Sequence, residues 1–178
     1  MMPFAIIVAV LGMPASAATM ALPASVWRVS DFASMPRTCA VLQAAYTAAI
    51  GHHAPAYPLD VRSSAHSLGS MTDIAPDARK RLAMSADEFT ELATRQEIYR
   101  SDVFRPICAW KGRAAPPRDD EGHAMFVTFT SPVFSTTGRL ALVEVSFREQ
   151  GAFSYGLLCT VRSLHVTWKA RCGRSWSN

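Results

Sequence analysis

Apolar positions along this chain follow two rhythms, and the change between them falls near residue 125. Before it, apolar residues recur at three-and-four spacing, the mark of helices with one buried stripe. The clearest case is "RTCAVLQAAYTAAIGHH" (37–53). There Val41, Leu42, Ala45, Tyr46 and Ala49 form the stripe, Thr38 offers a cap, and Gly51 offers a stop. Cys39 sits at its opening turn, facing the core. The next stretch, "APAYPLDVRSSAHSLGSMTDIAP" (54–76), breaks the rhythm, and only 57–62 has extended character. Pro76 and Asp77 then open a short helix through Met84. Ser85 and Glu88, spaced S-x-x-E, predict a capping box and a helix to about Arg100, with Phe89, Leu92, Gln96 and Tyr99 on its inner face.

Past "RAAPPRDDEG" (113–122), a polar proline-rich surface loop, β-branched and aromatic residues dominate. Four strands are expected, over 125–130, 140–147, 153–161 and 166–171, divided by turns at "TTGR", "REQGA" and "SLHV". Connections this short require antiparallel neighbours, because a parallel crossover needs a dozen residues or more. The expected fold is α+β, with N-terminal helices packed on a C-terminal four-stranded antiparallel meander. Along the second strand Ala141, Val143, Val145 and Phe147 share one face, and Leu140, Leu142, Glu144 and Ser146 share the other. One face is expected to lie under the helices.

Length and composition narrow the class. At 178 residues the chain suits one domain, and 49% hydrophobic with 18% charged residues excludes wholesale disorder. The beginning differs in kind: "FAIIVAVLGM", then Pro14, then the small-residue run "ASAA". That layout predicts a signal peptide over 1–17, cut after Ala17, and leaves 18–178 as a single α+β domain. The apolar run is too short for a membrane span, and no Lys or Arg precedes it. An irregular lead-in containing Trp27 follows.

The net charge of +4 comes mostly from scattered arginines; the lysines are Lys80, Lys111 and Lys169. No basic run interleaves with aromatics, so nucleic acid is not an expected partner. The expected partner is another protein or an anionic envelope component, with no transmembrane span in the mature chain. Four cysteines, Cys39, Cys108, Cys159 and Cys172, read as two disulfides in an oxidising compartment, which places the protein in the periplasm or outside the cell. Four cysteines allow three pairings. A hairpin turning at His165 and Val166 sets Cys159 opposite Cys172, which favours that bridge and Cys39–Cys108. A turn shifted by one or two residues would spoil it.

Candidate chemistry is sparse. "AFSYG" around Ser154 imitates the G-x-S-x-G elbow, which needs a strand, a sharp turn and then a helix. Here a strand follows the serine, no Asp or Glu follows Glu149, and His165, the last histidine, sits in a turn. No catalytic residue is assigned, and Gly151 and Gly156 read as turn and bulge residues. His52, His53 and His66, with Asp60 or Asp73, lack the i, i+4 spacing that sets two histidines on one ion, so no metal or other cofactor is expected. Glu144, charged in mid-strand, needs a partner such as an arginine if its face is covered. Trp110, Trp168 and Trp176, with Phe153 and Tyr155, are alternatively core or the lining of an apolar cleft. The candidate cleft residues are Glu144, Ser154, Tyr155, His165 and Trp168.

"SPVFSTTGRLALVEV", "GAFSYG" and "WKARCGRSW" together resemble the tail of uncharacterised families of small exported bacterial proteins, across about residues 130–176. That resemblance implies a terminal antiparallel sheet and no activity; the closing W-K strand is also similar to NTF2-like folds. The expected function is a non-catalytic binding or interaction protein of the bacterial envelope, inhibitor- or immunity-like. The alternative is a small-molecule-binding or hydrolytic domain built on the cleft residues.

Overall fold

In a computed structural model the described residues are 33–101, 103–118, 125–149 and 153–177. The expected leader with its cut after Ala17, Trp27, most of the acidic half of the 113–122 loop, and Gly151 lie outside them.

Helix α1 (Met35–Ala49) starts ahead of the expected point. Pro36, whose ring presets a helical φ, occupies the first turn, and Ser34 rather than Thr38 is the N-cap. Thr38 is buried within the helix beside Val41, Leu42, Ala45 and Tyr46. Two short parallel strands, β1 (Ala56–Tyr57) and β2 (Arg113–Ala114), run side by side, so the expected loop begins as a strand. Gly112 makes this possible: its φ is +91°, and a Cβ there would lie 2.1 Å from the Pro55 carbonyl oxygen. The Cys39–Cys108 disulfide, paired backbone and amide bonds between Gln43 and Lys111, and the Tyr46 hydroxyl donating to Ala115 strap this segment along α1. Burial, and next the Tyr155 phenolic group's charge, push the Tyr46 pKa above the usual phenol value.

Helix α2 (Pro76–Arg81) leads into α3 (Ala86–Arg95), whose capping box forms as its spacing predicts. Ser85 Oγ accepts from the Glu88 amide at 3.2 Å, and the Ser85 amide donates to Glu88 Oε2 at 2.9 Å. A 3-10 turn (Gln96–Tyr99) ends the element with Tyr99 buried.

The sheet is α+β in the expected sense: β3 (Phe126–Phe129), β5 (Leu140–Arg148), β6 (Ser154–Leu164) and β7 (Thr167–Ser177) are antiparallel neighbours in that order. An unexpected strand, β4 (Val133–Phe134), continues the β3 row along β5. Strands β6 and β7 are longer than their apolar cores because the hairpin's polar ends still pair. The turn falls at His165 and Val166, which sets Cys159 across from Cys172 with Cα atoms 4.0 Å apart, and they are disulfide-bonded.

Both faces of the sheet are covered, not one. Leu140 to Phe147 are buried without a break. Helix α1 packs on the face of Val143, Phe147 and Cys159; Tyr46 meets Phe147, and Cys172 lies against the Ala45 carbonyl. The opposite face carries α2, α3 and the chain between β1 and α2: Thr160 Oγ1 donates to the Leu82 carbonyl at 2.7 Å, and Arg162 grips Glu88. One sheet edge is sheltered, because Val127 bonds the backbone of Asp60 and Arg62. The outer edge of β7 pairs with no strand among the described residues. No helix among them is long and apolar enough to cross a membrane.

Candidate functional site: a cleft floored by a buried carboxylate

The edge row beside β5 breaks between Phe129 and Val133, opposite Glu144. Thr130 repairs the gap: its hydroxyl accepts from the Glu144 amide at 2.9 Å, and its own amide donates to the Glu144 carbonyl at 3.1 Å. Glu144 is thereby held in the sheet with its side chain on the α2/α3 face, 8% exposed. No arginine bonds to it among the described residues. Its Oε1 instead accepts from the Trp176 indole N–H at 2.9 Å and the Ser146 hydroxyl at 3.1 Å, with His66 Nε2 at 3.4 Å. Oε2 accepts from the Ser175 hydroxyl at 3.1 Å.

Two consecutive residues of a strand ordinarily point to opposite faces. Ser175 and Trp176 both reach Glu144 because the register slips here: Gly156 faces Trp176 while Leu157 faces Arg174, leaving Ser175 as the extra residue of a β-bulge. Gly156 completes the device. A Cβ at that position would lie 2.1 Å from Trp176 Nε1, so only a glycine lets the indole cross the sheet to the carboxylate. The Arg148 guanidinium covers the ring at 5.3 Å. The glycine of the imitation elbow therefore serves an indole, and Ser154 opens a strand where an elbow serine would open a helix.

Above this floor lies a cleft of about 410 Å³. Glu144, Leu158 and Gly173, neighbours across three strands, form its base, with Ser175 and Trp176 to one side. Leu68, Ile74, Ala78 and Leu82 supply an apolar roof. Gln96 carries that roof: its side chain donates to the Leu68 and Gly69 carbonyls at 2.9 and 2.8 Å and accepts from the Met71 amide at 3.0 Å.

Of the five expected cleft residues only Glu144 lines this space. Ser154 opens β6 and His165 lies beyond its far end, roughly 33 Å away along an 11-residue strand. Tyr155 lies on the α1 face, its ring 5.0 Å from that of Phe147. Trp168 lines a separate groove with His52, His53 and Lys111, next to a hairpin tip where Val166 is 96% exposed. The aromatics do not share one cleft either, for Trp110 stacks on Phe129 and only Trp176 borders the carboxylate. His66 touches Glu144 across the sheet from His52 and His53, and no three candidate metal ligands gather among the described residues.

The order of groups at the floor decides what chemistry it can do. In a hydrolytic triad the imidazole stands between hydroxyl and acid and takes the hydroxyl's proton. Here the acid stands in the middle: Ser175 donates to Glu144, and His66 approaches the other oxygen. The arrangement holds a carboxylate in place and offers it to the cleft. No family model, curated protein or solved structure matches the chain.

Proposed function

We propose that this chain is a non-catalytic binding protein of an oxidising compartment, the periplasm or the cell exterior, and that the cleft over Glu144 is its recognition site. One observation carries the reading: a cleft of about 410 Å³, within the usual size for small-ligand sites, has an apolar roof and a buried carboxylate at its floor, with the exposed Asp73, Arg81 and Arg174 also on its lining. The two disulfides support the compartment. The acid-centred order of Ser175, Glu144 and His66 favours binding over hydrolysis. An inhibitor- or immunity-like role would use the same cleft to receive a side chain from a partner.

Filling the cleft tests the reading. A Cβ on Gly173 stands 3.9 Å from its nearest neighbour, Leu82, so Gly173→Leu is accommodated at the strand and occupies the cleft with its isobutyl group. The purified chain is heated with millimolar small amines, alcohols, carboxylates and sugars. At least one class is expected to raise Tm by a few degrees, as binding to the native state alone requires. The gain disappears in Gly173→Leu. No gain from any class, or gains that persist in that variant, would remove the cleft as the binding site.

A further inference from the structure

We infer that the cleft selects an organic cation: an ammonium or guanidinium head that serves as the permanent counter-ion no described arginine or lysine provides for Glu144, on a short apolar stem. This rests on the cleft being the binding site. A carboxylate withdrawn from water is ordinarily matched by a cation. Glu144 is 8% exposed, yet two hydroxyls and an indole are among its four partners, and the fourth is an imidazole. No arginine or lysine is ion-paired with it among the described residues, although arginine is the commonest cation in the chain. Arg81 and Arg174 stand exposed on the cleft lining and the Arg148 guanidinium stacks on the Trp176 ring, and none of the three bonds to Glu144.

Acceptor capacity points to where the head sits. An ionised carboxyl accepts at about four positions. Oε1 already meets three groups, whereas Oε2 meets Ser175 alone. Glu144 and Ser175 both line the cleft, and we place the open position on that side. A cation placed there donates to Oε2, and Leu158, Ile74 and Leu82 surround the methylenes behind it. A carboxylate ligand would meet like charge at the floor, and an alcohol would make the hydrogen bond without balancing the charge.

Three probes of one size separate these cases: n-pentylammonium, n-pentanol and pentanoate, titrated into the full chain and followed by tryptophan emission and calorimetry. The ammonium is expected to bind at least about tenfold more tightly than either of the others. Glu144→Gln brings its affinity down to that of the alcohol. Gly173→Leu abolishes binding of every probe. If pentanol or pentanoate binds as well as the ammonium, or Glu144→Gln changes nothing, the cation assignment is overturned while the cleft stands. If no probe binds, both readings fall. The comparison among probes on the unmodified chain holds even if Glu144→Gln misfolds. The peptide Gly-Gly-Lys-Gly-Gly separates two sources of the same head group. Tighter binding than pentylammonium assigns a lysine side chain of a partner protein, and weaker binding assigns a free amine.

Discussion

Trp176 reaches Glu144 only because position 156 has no side chain, so a single methyl at that site tests the whole floor. In Gly156→Ala the new Cβ would occupy the place of the indole nitrogen, 2.1 Å away, and the ring has to leave the carboxylate. The loss of a hydrogen bond to a buried charge costs about 1.5–3 kcal/mol. Denaturant titration should show that loss, accompanied by a red shift of tryptophan emission. An unchanged midpoint and spectrum would mean that the indole holds its place by other means. Glu144 itself is legible in the sequence, since a charge within an unbroken apolar strand stands out. Ser146 shares its face by alternation, but two other partners are not legible: Ser175 reaches it through a bulge, His66 from a stretch without periodicity, and neither has a local signal.

Among the elements, α3 is held to the sheet by one ion pair as well as by its apolar stripe. Arg162 on β6 donates to both carboxylate oxygens of Glu88, with Nη2 to Oε2 at 2.8 Å, and also to the Ala83 carbonyl. The hydrogen bonds from Arg162 hold the Glu88 carboxyl down at about 2, against an ordinary 4.5. A depressed acid stabilises the fold fully above its unfolded value, and that contribution disappears as pH falls from 4.5 through 2. Arg162→Met should therefore flatten the acid limb of the stability profile in that window. It should cost about 1 kcal/mol at neutral pH, a modest figure because both side chains are about a third exposed. Chemical denaturation at pH 7 and pH 3 measures the difference; equal slopes in both proteins would contradict it. The capping half of this arrangement is readable from S-x-x-E because both residues lie within one turn. The Arg162 half joins residues 74 positions apart, and no local spacing encodes that. The start of α1 departs from its local signal for a related reason: Thr38 fits a cap by type, but Pro36 sets the first turn earlier.

At the scale of the molecule, the two disulfides hold different things. Cys39–Cys108 spans 69 positions and straps the β2 segment to α1, whereas Cys159–Cys172 spans 13 and links strands that are already paired. Loop-closure entropy gives about 4 kcal/mol for the first and about 3 for the second. Replacing each pair by alanines should lower the denaturant midpoint in that order, and the reverse order would show that the hairpin bridge is the main staple. The meander was legible because turn residues punctuate it at short intervals. That both faces are covered was also encoded, in the unbroken run "LALV" and in "VSF" after Glu144, but alternation was the wrong template for a central strand. With both faces covered, the flank of β7 pairs with no strand among the described residues, and Lys169 and Arg171 stand exposed along it. Two copies brought flank to flank there oppose like charges before their amides can meet, so dissolved salt, by screening them, lowers the barrier to filament-like stacking of these molecules.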